Sequence, residues 1–147
     1  MKPSPIAGLM LDTSAISRVC DRHADALALV SDSRCFVTDI QLKELFRTPD
    51  VERRERLKET LLELNVRVIR PDVRSGGFYD GDVGAVRPLG RLWPVIAANQ
   101  KGRFKRNIHD SLIAETARIH GLTLVTADKG LAAVARKFGV SVSLIAS

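Results

Sequence analysis

The stretch Ile6-Ala7-Gly8-Leu9-Met10-Leu11-Asp12-Thr13-Ser14 decides the fold, because six apolar or small residues end abruptly in an acid and two hydroxyl side chains. This pattern predicts a buried strand over residues 6–11, with Asp12 as the cap of a helix that runs to about residue 20. A similar arrangement lies near the other end of the chain, where residues 122–125 are apolar and Asp128 follows shortly after. Strands that are apolar throughout and are followed by helices are typical of a parallel sheet covered on both faces.

The remaining segments continue this alternation of strands and helices. A capping box, Thr38-Asp39-Ile40-Gln41, opens the helix that carries Glu44. Residues 72–90 hold five of the ten glycines and predict a loop. We predict further strands over residues 34–37, 66–69, 122–126 and 140–145, and further helices over residues 23–30, 49–64, 91–100, 110–120 and 131–138. The order predicts a single domain spanning residues 1–147, folded as a three-layer α/β/α sandwich around a parallel sheet.

The helix at residues 49–64 is predicted to begin with Pro49, since proline fits the first helical position. Its charged residues alternate in sign and predict a solvated face. A buried stripe is predicted for its apolar residues, which are Val51, Leu57, Leu61 and Leu64.

Composition narrows the class of protein. A chain of 147 residues with 45% apolar content can bury a core without covalent staples. Cys20 and Cys35 are too few for a disulfide framework or a zinc site, so we expect reduced thiols and a cytoplasmic protein. The first apolar run is short and leads into Asp12, which is unlike a signal peptide or a membrane span.

The basic residues are unevenly distributed. Lys and Arg number 23 against 17 Asp and Glu, which gives a formal net charge of +6. Residues 83–109 contain six basic residues and no acid. Such a segment beside an acidic crevice suits a polyanion such as RNA, although a solvated face that keeps the protein soluble is the alternative. The residues expected to hold the RNA backbone are Lys101, Arg103, Lys105 and Arg106.

Four acids follow predicted strands or lie in the helices after them. In an open parallel sheet, residues just past the strand ends line the crevice where ligands bind. Carboxylates gathered there repel one another unless a cation lies between them, and oxygen ligands favour Mg²⁺ or Mn²⁺. The four acids are Asp12, Glu44, Asp110 and Asp128. Together they indicate a metal-dependent phosphodiesterase.

Each of these acids also has a purely structural explanation. Asp12 could serve only as a helix cap, and Asp110 could complement the dipole in the first turn of its helix. Asp128 could form a turn. Glu44 lies near the apolar side of its helix, so it needs a cation or a hydrogen-bond donor.

Two further acids are excluded from the set. Helical spacing turns Glu115 away from Asp110. Asp39 fits the first turn of the helix that carries Glu44.

Four segments, taken in order along the chain, resemble the four acidic motifs of the PIN-domain family. The resemblance is nearest to the VapC-type toxins and runs from about residue 6 to residue 145. The segments are Ile6-Ala7-Gly8-Leu9-Met10-Leu11-Asp12-Thr13-Ser14-Ala15, Thr38-Asp39-Ile40-Gln41-Leu42-Lys43-Glu44-Leu45, Asp110-Ser111-Leu112-Ile113-Ala114-Glu115-Thr116-Ala117 and Leu124-Val125-Thr126-Ala127-Asp128.

The resemblance implies a five-stranded sheet in the order 3-2-1-4-5, which places Asp12 beside Asp128. It also implies Mg²⁺- or Mn²⁺-dependent endoribonuclease activity, in which the metal generates hydroxide and stabilises charge on the scissile phosphate. By position, Asp12 would be the central ligand, and Glu44 and Asp110 would hold or orient metal and water. Asp128 would complete the site.

Further expectations follow from the same resemblance. Thr13 and Thr126 would orient carboxylates, or else act only as a helix cap and a strand residue. A small antitoxin protein and a homodimer are the expected partners. The chain departs from some relatives at Leu131, where they carry a further acid, and in residues 72–90, which are longer and less helical than expected.

Three other interpretations remain open. A receiver domain also has acids at strand ends, but it needs an acid pair after its first strand, and this chain has Asp12 alone. A non-catalytic RNA-binding scaffold of the same fold would usually have lost acids. A stand-alone RNA-processing nuclease cannot be distinguished from a toxin by one sequence.

Overall fold

The fold is built on a five-stranded parallel sheet. We describe it from a computed structural model, which covers residues 8–69, 104–137 and 139–146, with side chains from residue 109 onward in the second range. The strands lie in the order β3-β2-β1-β4-β5, and all four pairings are parallel. This confirms the predicted order. The strands are β1 Gly8–Leu11, β2 Arg34–Val37, β3 Arg67–Val68, β4 Thr123–Thr126 and β5 Val142–Leu144.

Helices cover both faces of the sheet. The side chains of β1 alternate, so that Leu9 and Leu11 enter one apolar cluster and Met10 enters the other. The α/β/α layering therefore follows from a central strand that is buried on both sides. In the described part of the chain the helices are α1 Thr13–Cys20, α2 Ala24–Val30, α3 Asp39–Phe46, α4 Val51–Glu63, α5 Phe104–Ile119 and α6 Lys129–Lys137.

Local capping fixes where the helices begin. The Asp12 side chain accepts a hydrogen bond from the Thr13 backbone N–H and caps α1. Thr38 and Gln41 form the predicted capping box at the start of α3. Because α1 and α3 begin directly after β1 and β2, their first turns lie at the same edge of the sheet.

Two predictions for α4 are wrong. Asp50 caps this helix by accepting from the N–H groups of Glu52 and Arg53, so Pro49 precedes the cap instead of occupying the first helical position. Leu57 and Leu61 are buried, but Val51 is 59% exposed. A spacing of six residues turns Val51 about a third of a turn away from Leu57, which removes it from the buried stripe.

The predicted start of α5 is also wrong. This helix is already formed at Phe104, so Asp110 lies well past its first turn. The helical residues 104–109 were missed because no serine, threonine, aspartate or asparagine stands directly before Phe104 to mark a helix start. The predicted helix at 91–100 and the loop at 72–90 lie outside the described residues.

Both cysteines are free thiols, as expected. Burial raises the pKa of the Cys35 thiol to about 11. Among the described helices, none is both long and apolar enough to cross a membrane.

Candidate active site

A cleft of about 440 Å³ opens where the ends of β1 and β2 lead into helices. Its position matches the crevice at the carboxyl ends of a parallel sheet. Among the described residues, those that line it are Asp12, Thr13, Ser14, Ser17, Glu44, His109 and Asp110. Three of the four predicted acids therefore lie in one cleft, and Asp128 is not among the lining residues.

Asp12 is one of two deeply buried acids of this cleft. It is only 6% exposed. Its Oδ1 accepts from the Thr13 N–H at 2.8 Å, and its Oδ2 accepts from the hydroxyls of Thr126 at 2.8 Å and Ser14 at 3.1 Å. Burial raises the pKa of the Asp12 carboxyl, these hydrogen bonds lower it, and the nearby Glu44 charge raises it further. Burial has the largest effect on this pKa, so the site disfavours the ionised form of Asp12. A bound cation would favour that form.

Glu44 reaches the cleft from α3 and is half-buried. Thr13 donates its hydroxyl proton to Glu44 Oε2 at 3.1 Å, and His109 Nδ1 lies 3.0 Å from Oε1. The sequence indicated that Glu44 needs a cation or a hydrogen-bond donor, and two donors are present. Helices α1 and α5 thus both contact this one carboxylate.

Asp110 is buried, with 6% exposure, on α5. Its mid-helix position removes the structural explanation based on the helix dipole, because that stabilisation is confined to the first turn. Burying an ionised carboxylate in the body of a helix costs free energy unless hydrogen-bond donors or a cation replace the lost water.

Asp128 is joined to Asp12 through Thr126. The Thr126 hydroxyl donates to Asp12 and accepts from the Asp128 backbone N–H at 3.0 Å. The Asp128 side chain accepts from the Leu131 N–H at 3.1 Å, where it caps α6. Asp128 therefore lies beside the cleft, with its backbone tied to the Asp12 network.

The other predicted residues have mixed outcomes. Thr13 and Thr126 each donate to a carboxylate of the set. Glu115 is buried and pairs with Arg118 one turn later on α5, away from the cleft. The structure does not describe the side chains of the predicted RNA-binding residues, which are Lys101, Arg103, Lys105 and Arg106.

Sequence reasoning missed three residues of the cleft, which are Ser14, Ser17 and His109. Ser14 accepts from the Ala127 N–H at 3.0 Å and so ties α1 to the loop after β4. His109 contacts Glu44. The available signal for His109 was its position next to Asp110, but its partner lies 65 residues away in the sequence.

A metal would have to draw the carboxylates together. Asp12, Glu44 and Asp110 offer oxygen ligands, the type that Mg²⁺ and Mn²⁺ prefer. Across the described ranges, however, no three acidic, histidine or cysteine side chains are gathered closely enough to hold an ion as they stand. The donor chemistry of the three acids fits such a cation.

Comparison with known proteins shows the fold. No protein-family model matches this sequence, and no curated protein matches it in sequence. The chain is similar to the structure of VapBC2 from Rickettsia felis bound to a DNA fragment from its promoter, at 14% identity and a TM-score of 0.51, over 92% of this chain and 97% of the other. It is similar to FitAcB from Neisseria gonorrhoeae, at 20% identity and a TM-score of 0.54, over 91% and 95% of the two chains.

A third similar structure is PAE2754 from Pyrobaculum aerophilum, at 17% identity and a TM-score of 0.55, over 95% of this chain and 92% of the other. The strand order and the helices of this chain match the α/β fold of these structures. At such identities the likeness concerns the fold.

Proposed function

We propose that this chain is a metal-dependent endoribonuclease that hydrolyses phosphodiester bonds in RNA. The observation that carries the proposal is the cleft at the sheet edge, where three carboxylates from three separate elements face one space. Asp110 is buried in mid-helix, and burial disfavours the charge of Asp12. A divalent cation would offset both costs.

Asp12, Glu44 and Asp110 would hold the metal, and Asp128 would complete the site from the β4 side. The bound Mg²⁺ or Mn²⁺ would supply the activation of water and the stabilisation of phosphate charge. Thr126 and Thr13 keep the carboxylates of Asp12 and Glu44 oriented through their hydroxyl groups.

The test is to incubate the purified chain with a labelled RNA and to measure cleavage. We expect cleavage with millimolar Mg²⁺ or Mn²⁺, no cleavage with EDTA, and none by Asp110→Asn. Metal should also raise the melting temperature of the wild-type chain in the absence of RNA, because a ligand that binds only the folded state stabilises it. If Mn²⁺ neither shifts the melt nor supports cleavage, the chain has another function.

The RNA backbone would be held by the basic segment before Asp110. We expect each neutralisation among Lys101, Arg103, Lys105 and Arg106 to weaken RNA binding and to reduce its salt dependence by a similar step, without changing the cleavage position. Filter binding at several salt concentrations measures this. The matched control is neutralisation of Arg136 and Lys137, which are exposed in the last turn of α6. If the salt dependence of RNA binding is unchanged after all four neutralisations, the basic segment serves only to keep the protein soluble.

We further propose that the chain is the toxin of a toxin–antitoxin pair, acting in the cytoplasm as a homodimer. The support is the fold shared with VapBC2 and FitAcB. A small antitoxin would place a basic side chain among the carboxylates. The second candidate is a stand-alone RNA-processing nuclease of the same fold, and a small reading frame next to the gene distinguishes the two.

A further inference from the structure

His109 is a cleft residue that the proposed chemistry does not yet use. It precedes Asp110 on α5 and lies with it in the lining of the cleft. Its Nδ1 is 3.0 Å from Glu44 Oε1, and the two side chains are 24% and 33% exposed. At this partial burial, a hydrogen bond to a carboxylate is less weakened by water than one on the open surface.

The two oxygens of Glu44 have separate donors on separate helices. Thr13 of α1 donates to Oε2, and His109 of α5 contacts Oε1. A carboxylate oxygen is an acceptor, so in the tautomer that carries its proton on Nδ1, His109 donates to Oε1. One donor leaves a carboxylate free to rotate about its last bond, whereas one donor on each oxygen fixes its plane.

We infer that His109 is a positioning residue, which orients the Glu44 carboxylate for a divalent cation shared with Asp12 and Asp110. This inference rests on the proposed function. The same helix α5 carries both His109 and Asp110, so the contact also sets the distance between Asp110 and Glu44. Donors to ligating carboxylates typically change metal affinity by about 10- to 100-fold when they are removed.

Three substitutions separate hydrogen bonding from packing. His109→Ala removes the ring and its donor. His109→Asn retains an amide N–H close to the place of Nδ1, whereas His109→Gln moves that N–H toward the place of Nε2. His120→Ala is the matched control, because His120 is an exposed histidine just after the end of α5.

The experiment is calorimetric titration of each full-length variant with MnCl₂ alone, without RNA. We expect His109→Ala to weaken Mn²⁺ binding by about 10- to 100-fold, His109→Asn to restore most of the affinity, and His120→Ala to match wild type. Should the alanine variant not fold, tighter binding by His109→Asn than by His109→Gln supports the same conclusion.

Four results would overturn the inference. Wild-type affinity in His109→Ala would leave the proposed metal site intact but remove His109 from it. Tighter binding in that variant would mean that His109 holds Glu44 away from the metal. An absence of Mn²⁺ binding by the wild-type chain would reject the metal site itself, and His109 with it. If His109→Asn is as weak as His109→Ala, the ring acts by packing.

Discussion

Replacing Asp12 by asparagine is expected to lower RNA cleavage at least about 10³-fold while the chain stays folded. Asparagine has nearly the same shape, and its carbonyl oxygen can still accept from the Thr13 N–H, so the cap of α1 is retained. The hydroxyls of Ser14 and Thr126 can reverse their roles and accept from the new amide group. Only the negative charge is lost, and with it the proposed central metal ligand.

The same variant should be more stable than wild type at neutral pH in EDTA. Burial raises the pKa of Asp12 in the folded chain above its unfolded value, so the folded state binds this proton more tightly. Wild-type stability therefore falls as the pH rises from the unfolded value through the raised folded value, and the full cost is present above that. Asparagine has no such charge, so its advantage should disappear below the ordinary titration range of an aspartate.

Urea denaturation from acidic to neutral pH measures this difference. Asp50→Asn is the matched control, since Asp50 also caps a helix but is exposed and distant from the cleft. Its stability should show no comparable gain. Saturating Mn²⁺ should reverse the order and make wild type more stable than Asp12→Asn. Undiminished RNA cleavage by the folded Asp12→Asn chain would place the activity elsewhere or in a contaminant.

The sequence was sufficient for those parts of the fold that depend on local signals. Strand β1, the cap at Asp12 and the box of Thr38 and Gln41 each follow from neighbouring residues. The start of α5 was missed because no serine, threonine, aspartate or asparagine stands directly before Phe104 to mark a helix start. Local patterns thus predicted the elements and were least accurate at the helix ends, whereas the sheet order was predicted from the family resemblance.

The candidate site was predictable only as far as its acids. The placement of Asp12 and Glu44 in one cleft follows from the ends of the parallel strands β1 and β2 meeting at one edge, whereas Asp110 reaches the same cleft from the body of α5. The contact of Ser14 with the Ala127 N–H joins residues 113 positions apart, and no pattern within either segment indicates it. Such partners depend on how the helices are packed, which is a property of the whole fold.

Gln41 shows how strongly the site depends on one such contact, and its replacement should have the largest effect on stability. This side chain is fully buried in α3. Its Oε1 accepts from the Thr38 N–H at 2.9 Å and from the Thr38 hydroxyl, and its Nε2 donates to the Leu11 carbonyl at 3.0 Å. Gln41 therefore links the helix that carries Glu44 to the strand end that carries Asp12.

Gln41→Met keeps the length and volume of the side chain but removes this donor and acceptor. Because the Thr38 N–H and the Leu11 carbonyl would lose their partner in the core, we expect a loss of about 2–5 kcal/mol in the free energy of unfolding. Gln41→Glu retains the acceptor for Thr38 but, when ionised, turns an oxygen toward the Leu11 carbonyl, so it should be at least as damaging at neutral pH.

Urea denaturation compares both variants with wild type, and Leu42→Met serves as the control because Leu42 is the adjacent, only partly buried residue of α3. Where Gln41→Met still folds, α3 is no longer tied to the end of β1, so Glu44 should be held less firmly relative to Asp12. We therefore expect weaker Mn²⁺ binding as well as lower stability. A Gln41→Met chain as stable as wild type would mean that packing alone joins α3 to the sheet, and that this hydrogen-bond link does not set the geometry of the cleft.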